Sequence, residues 1–332
     1  MTTLKTLADR LGLSTATVSR VLNARTSAMV SKATQDRVVA LATELGYRPN
    51  PAARALVTGR THTIGLLTFA MHPAFYSQVI QELHDILARD HYRLAIMETP
   101  RNVESDADLA KTMAVAVDGL LAFDSPEIVN MLVTQGNQMR IPMVGLGTAP
   151  VTGIDAVQVD NSKGTAAILD HWHAAGRRRI AYLGESGDVQ RPQRQVYAAH
   201  RQAAGLAETY ILAENGPPAT QRDRARDAVQ RHVKGVERPE AIFAANDEGA
   251  IGVLRGLHDL GIRVPQETAV AGCDGILEGA YQRPPLTTIQ FPLRDVCREA
   301  WRMLKLRLAE GSAATPPQTR VFTAKLVLRE SA

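Results

Sequence analysis

Residues Leu4 to Asn23 read LKTLADRLGLSTATVSRVLN. Leu4, Leu7, Ala8 and Leu11 recur at i, i+3, i+4 and i+7, the apolar face of one helix. Gly12 interrupts that run and suits a sharp turn. Ser14 is placed to cap a second helix over Thr15 to Asn23. Val18, Val21 and Leu22 fall on one side of it, and Thr15, Ala16, Ser19 and Arg20 on another. Two short helices across a tight turn describe a helix-turn-helix, whose second helix lies in the DNA major groove. The same spacing also suits an ordinary helical hairpin inside a larger core, so the flanking sequence has to decide.

C-terminal to this pair, Ser31 can cap a third helix over Lys32 to Leu45, with Val38, Leu41, Ala42 and Leu45 on its apolar face and Gly46 at its end. Three such stripes can close on one another as a small domain over residues 1–49. Charge singles out the same region. Residues 1–60 hold nine Lys/Arg and three acids, a balance of +6 against +4 for the whole chain, so the other 272 residues carry −2. A basic head on a near-neutral body points to a polyanionic partner for the head.

Tyr47-Arg48-Pro49-Asn50-Pro51 stops helical structure. Asn50 can cap and Pro51 can occupy the first position of a new helix. That helix, within a linker at 50–60, has under two turns before Gly59 and is marginal unless something holds it. From Thr63 apolar strands alternate with amphipathic helices through Ala271, which means βαβ units and parallel sheets. Strands are expected at 64–67, 94–97, 119–123, 143–146, 180–183, 210–212, 241–244 and 269–271, with helices between them, including one over 106–117. The expected fold class is α/β: the helical head plus a core, 61–332, of two doubly wound parallel-sheet subdomains. The first subdomain takes about 61–157 and 290–320, the second about 158–289 and 321–332. Such halves leave a cleft facing the carboxyl ends of their strands.

At 332 residues, 45% hydrophobic and 22% charged, the chain can bury a sizeable core. Two cysteines, Cys273 and Cys297, imply no disulfide framework. Without a signal-peptide core or a membrane-length apolar run, a cytoplasmic protein with no membrane partner is expected. Enzymatic signatures fail individually. Gly145-Leu146-Gly147 opens a glycine pair after a strand, but Pro150 breaks the dinucleotide fingerprint. No phosphate-loop motif occurs, and Gly184-Glu185-Ser186-Gly187 is one residue short of a nucleophile elbow. His171 and His173 are two apart on a helix and point to different faces. No catalytic activity, cofactor or metal is expected.

Taken together, LADRLGLSTATVSRVLN, LGYRPNPAARAL, VDGLL at 117–121, VDN at 159–161, AANDEGAIGVLRGLHDLGIRVP at 244–265, AGCDG at 271–275 and PPLTTIQFP at 284–292 resemble the lactose-repressor (LacI/GalR) family of bacterial transcription regulators. The resemblance spans essentially the whole chain. It implies a helix-turn-helix head, a hinge helix, a core like the periplasmic sugar-binding proteins, a homodimer on pseudo-palindromic operator DNA and a small-molecule effector. The chain departs from the family pattern in ARTSAM at 24–29, at Gly176-Arg177 and through 191–204.

By that resemblance Thr15, Ala16 and Arg20 face base edges, and Arg20 is suited to a bidentate contact with guanine. Ser14, Thr17, Ser19 and Asn23 suit phosphates, which position without specifying. Leu56 matches the leucine that hinge helices wedge into the minor groove, with Ala53 and Ala55 small enough for paired hinges to approach. For the effector, Asn246 and Asp274 follow strands at the mouth of the cleft, and Phe75 opens a helix after the first strand. Asp160 also follows a strand, but capping the next helix beside Asn161 serves it equally well. Arg191 and Arg194 are both candidates for the family's effector-binding arginine. Carboxylate, amide and aromatic groups together favour a sugar or sugar-like effector. A purine-like ring stacked on Phe75, or a regulator that activates or needs a corepressor, is the alternative.

Overall fold

A computed structural model describes residues 2–22, 30–48, 55, 59–69, 73–99, 115–124, 126–134, 141–187, 189, 191–214, 220–235, 237–310 and 315–332. Asn23, the link 24–29, Ala53, Leu56 and most of the helix expected over 106–117 lie outside the described residues. The chain divides into two compact units, Met1–Thr61 and His62–Ala332.

The head unit is built from α1 (Leu4–Leu11), α2 (Thr15–Leu22) and α3 (Lys32–Glu44). Each start is capped, α2 and α3 by the serines the sequence suggests and α1 by Thr3. Thr3 accepts from the Thr6 amide at 3.2 Å, Ser14 from Thr17 at 3.1 Å and Ser31 from Thr34 at 3.4 Å. Gly12 ends α1 at φ 65°, where a side chain would be strained. Leu7, Ala8, Val18, Val21, Val38 and Ala42 are buried together, so each helix contributes two residues to one small core. In the linker, Ala55 is helical and its carbonyl accepts from the Gly59 amide at 2.8 Å.

The second unit begins with β1 (Thr63–Phe69), α4 (Pro73–Arg89), β2 (Arg93–Thr99), β3 (Gly119–Phe123), α5 (Pro126–Thr134), β4 (Met143–Gly147) and β5 (Asp155–Asp160). It continues through α6 (Ser162–Ala174), β6 (Ile180–Glu185), α7 (Pro192–Ala203), β7 (Thr209–Ala213), α8 (Gln221–Gly235), β8 (Ala241–Ala244), α9 (Asp247–Asp259) and β9 (Ala269–Asp274). A 3₁₀ turn at Leu277–Tyr281, β10 (Thr287–Gln290), α10 (Leu293–Glu310), β11 (Thr319–Thr323) and β12 (Lys325–Val327) complete it. Residues 115–117, where the helix expected over 106–117 ends, are not helical.

Two six-stranded sheets result, in the orders β2-β1-β3-β4-β5-β11 and β7-β6-β8-β9-β10-β12. The first is parallel throughout. In the second only β12 runs antiparallel, against β10. The inner strands are apolar on both faces, as parallel strands covered by helices must be: β3 and β8 are buried along their whole length. The chain passes between sheets after Asp160, after Gln290 and after Thr323. The first passage thus falls three residues beyond 157, and the last falls after 323 rather than 320. The reason is pairing: β5 holds β11 in register from Ala156↔Thr319 to Asp160↔Thr323. Arg307 on α10 locks this corner. Its guanidinium grips Asp155 at 2.7 and 2.9 Å and also donates to the Thr315 and Pro316 carbonyls. Among the described residues no helix is long and apolar enough to cross a membrane.

Candidate functional site

On α2 the apolar stripe turns inward and leaves an opposite face free. Val18 and Val21 are buried; Thr15, Ala16 and Arg20 are exposed; Thr17 and Ser19 are half-buried. The Thr17 hydroxyl lies 2.9 Å from Ser14 Oγ, so both hydroxyls are engaged at the cap. Arg20 stands clear on the exposed face, in reach of a groove laid against this helix. The first unit therefore presents three side chains suited to base edges, from a helix held by its own small core.

In the second unit each sheet reverses strand order at one point, between β1 and β3 in the first and between β6 and β8 in the second. Loops leaving the carboxyl ends of strands on either side of such a reversal diverge and leave a crevice. The residues at those ends are polar in an otherwise apolar chain. Asp124 follows β3, Thr148 follows β4, Asn161 follows β5, Arg191 and Gln193 follow β6, Asn246 and Asp247 follow β8, and Asp274 ends β9. Under them lies an aromatic floor. Phe75 meets Tyr76 and Phe123 edge-on at 5.6 Å each and Phe291 at 5.9 Å.

Arg191 is the electrostatic centre of this group. Burial pushes the Asp124 carboxyl upward, opposed by the Thr148 amide and by the Arg191 charge. Burial also raises Asp274 well above the usual carboxylate range, the nearby Asp247 adds to this, and Arg191 opposes it. Tyr76 is raised by burial and by Asp124, and feels Arg191 as well. The Cys273 thiol is pushed up by burial, then by Asp274 and Asp247. Asp247 is pushed up to about 7 by burial, although Thr288 Oγ1 (2.7 Å) and the Gly275 and Ile276 amides (2.8 Å each) all donate to it.

The candidate effector residues separate on this geometry. The Arg191 charge acts on Asp274, and Asp274 holds φ 117°, a strained backbone for a non-glycine residue of the kind found at ligand sites. Arg194 points elsewhere: its guanidinium lies 4.5 Å over the Tyr210 ring on the edge strand β7. One helical turn beyond Arg191, it is carried round to the sheet edge. Asp160 accepts from the Ser162 amide at 2.9 Å at the start of α6, whose N-cap Asn161 makes no side-chain cap bond. Asn246 caps α9 by accepting from Gly249 at 2.9 Å and is 2% exposed. Phe75 is only 5% exposed, set into the floor rather than standing as a wall.

Asp124, Tyr76, Thr148, Gln193 and Asp247 escaped the sequence reading. Asp124, Thr148 and Asp247 lie just beyond strand ends, which is the signal that would have found them, whereas Gln193 stands in the first turn of α7. Asn161 is read from sequence as part of the VDN mark at 159–161 and as a neighbour of Asp160 at a helix start. It is fully buried where the chain crosses between sheets, and donates to Gln193 Oε1 at 3.1 Å. Gln193 in turn donates to the Ala245 carbonyl at 3.0 Å, and Asn161 Oδ1 has no hydrogen-bond partner among the described residues.

A helix-turn-helix head with an exposed reading face, followed by a two-sheet core with a polar cleft at its strand reversals, defines a ligand-responsive DNA-binding regulator. Residues 3–50 match the model for bacterial regulatory proteins of the lacI family, and 169–332 match a periplasmic binding protein-like domain. The chain is 30% identical to the HTH-type transcriptional repressor PurR of Vibrio vulnificus, over 93% of each. It is 27% identical to catabolite control protein A of Priestia megaterium, over 91% of each. A solved complex of the transcriptional regulator CelR with cellobiose superposes with a TM-score of 0.68 at 27% identity, covering all of both chains. A lac repressor dimer bound to operator and the anti-inducer ONPF shares the fold, with a TM-score of 0.81 at 24% identity, over 99% of this chain and 98% of that one. This protein belongs to the lacI family of bacterial regulatory proteins. It is a DNA-binding transcriptional regulator.

Proposed function

We propose that the chain represses transcription as a homodimer on a pseudo-palindromic operator, and that a small sugar-like effector in the core cleft sets its operator affinity. The observation that carries this is the gathering of polar side chains at the carboxyl ends of strands in both sheets, Asp124 in one and Asp274 in the other, with the Arg191 charge acting on both. Carboxylates accept from hydroxyls and a guanidinium donates to them, so a polyhydroxy ligand can bridge both sheets at once. A flat ring stacked on Phe75 is served less well, because that side chain is 5% exposed and meets three other rings. CelR holding cellobiose in the same fold adds support.

A ligand that prefers one spacing of the sheets shifts the protein toward it, and operator affinity changes by the same coupling factor. In a dimer, Ala53 and Ala55 of two hinges are small enough to pair, and Leu56 of each can enter one base step. On the second sheet, Leu277 and Tyr281 on the 3₁₀ turn are 64% and 78% exposed, the most exposed large apolar side chains among the described residues. A second copy is the partner they suit. The test is a gel shift on the DNA upstream of the gene, with a panel of small sugars. Asp274→Ala should abolish the effector response while operator binding persists. An undiminished response would move the effector site elsewhere.

A further inference from the structure

The core begins at His62, and one end of the first sheet is built around that entry. The buried His62 donates its amide to Asp118 Oδ2 at 2.9 Å, and its carbonyl accepts from the Arg93 amide at 2.9 Å. One residue on, the Thr63 carbonyl accepts from the Asp118 amide at 2.8 Å, and Arg93 Nη2 donates to Thr63 Oγ1 at 3.3 Å. Arg93 opens β2, so the turn between α4 and β2 is fastened to the chain where the linker arrives.

That turn is held on every side. The Tyr92 amide donates to the Leu87 carbonyl and the His91 amide to the Ala88 carbonyl, both at 3.0 Å, the paired bonds of a Schellman motif at the end of α4. His91 holds φ 60°, the left-handed position that glycine usually fills in this motif. Tyr92 meets Trp301 of α10 edge-on at 5.0 Å and His62 at 5.3 Å. Asp90 accepts from Trp301 Nε1 at 2.6 Å and from Lys305 Nζ at 2.9 Å, and these two bonds hold its carboxyl below the usual range.

The construction uses the carboxylates and leaves cations over. Asp90 serves Trp301 and Lys305, and Asp118 serves the His62 amide. Arg89, His91 and Arg93 are exposed, and neither arginine has an ion pair among the described residues. Exposed arginines elsewhere on the core hold carboxylates: Arg255 on Asp259, Arg263 on Glu267, Arg298 on Asp295 and Arg302 on Glu299. A place in the last turn of α4, where carbonyls favour a cation, accounts for Arg89 but not for Arg93 at the start of a strand. A guanidinium on a rigid support loses little freedom when it meets an anion, and its fork matches phosphate oxygens. The linker from the DNA-binding head joins the core at this end, so DNA held by the head is tethered here.

We propose that the turn over 89–93 is a second DNA-contacting surface, on which Arg89 and Arg93 meet the phosphate backbone beside the operator while the head reads bases. This rests on the reading of the chain as a homodimer on operator DNA. Such contacts add affinity and salt dependence without sequence preference.

The test is the salt dependence of binding by the full-length dimer to the DNA upstream of the gene and to point variants of that DNA. Each neutralised phosphate contributes about −0.9 to the slope of log K against log salt. Arg89→Gln and Arg93→Gln each remove one contact per protomer, so each should reduce the slope by about 2 in magnitude, equally on every DNA variant. Arg93→Lys keeps the charge and should keep the slope. Arg231→Gln takes an exposed cation from α8, on the second sheet, and should leave the slope unchanged. Equal slopes for the wild type and both glutamine variants overturn the proposal, as does a loss shared by Arg93→Lys or by Arg231→Gln. Conversion of Arg89→Gln or Arg93→Gln to monomer in sedimentation also overturns it, because the turn then belongs to the contact between copies. A wild type that binds none of this DNA at any salt concentration overturns the operator reading as well.

Discussion

Gly147→Ala isolates the contact on which the first half of the cleft depends. Gly147 holds φ 130°, a region that L side chains rarely adopt, so alanine there is strained by about 1–3 kcal/mol. Its Cβ would also stand 2.0 Å from Asp124 Oδ1, 2.6 Å from Cγ and 3.1 Å from the Asp124 amide nitrogen. No rotation of so short a side chain clears all three, so Asp124 must leave the Thr148 amide. Losing a hydrogen bond to a charged group removes about 1.5–3 kcal/mol. The two effects together come to about 2.5–6 kcal/mol, a large part of a typical domain's stability of about 5–15 kcal/mol. Urea unfolding followed by fluorescence of Trp172 and Trp301, the chain's two tryptophans, measures it. A double-mutant cycle with Asp124→Gly separates the causes: the clash disappears in the double variant and the backbone strain stays, so about 1.5–3 kcal/mol should appear as coupling. A loss below about 1 kcal/mol, or strict additivity in the cycle, refutes the argument that Gly147 exists to seat Asp124.

Arg20→Ala should weaken operator binding by about 1–3 kcal/mol and relax preference at one base per half-site; an equal loss on every operator variant would make it a phosphate contact. Stability should depend on pH through the cleft acids. Asp247, raised to about 7, and Asp124 and Asp274, raised likewise, bind protons more tightly folded than unfolded, so stability falls as pH rises from about 4 toward 7. Urea midpoints across that window check the sign, and a rising midpoint contradicts it. Tyr281→Asp, at a side chain 78% exposed, should shift sedimentation toward monomer without unfolding the core; an intact dimer would place the interface elsewhere.

How much of this could be read before any coordinates follows from the range of each interaction. The caps by Ser14 and Ser31 act across three residues, and the stripes Leu7–Ala8 and Val18–Val21 across one turn. The head and the alternation of strands and helices were therefore legible from periodicity and cap chemistry alone. The basic end and the exposed set Thr15, Ala16 and Arg20 belong to the same local code. The cleft obeys another rule. Residues 124 and 148 come together because β3 pairs with β4, and 191, 247 and 274 stand at or after the ends of the paired strands β6, β8 and β9 of the other sheet, and no local spacing records that order. The different surroundings of Arg191 and Arg194 depend on α7: the first stands before it and the second is carried a turn along it, over Tyr210. The 2.9 Å bond from the Ser162 amide to Asp160 is likewise a detail of the folded chain. Asp124 shows the difference most plainly: in the sequence it is one more acid after an apolar run, and only the pairing of β3 with β4 sets Gly147 beside it.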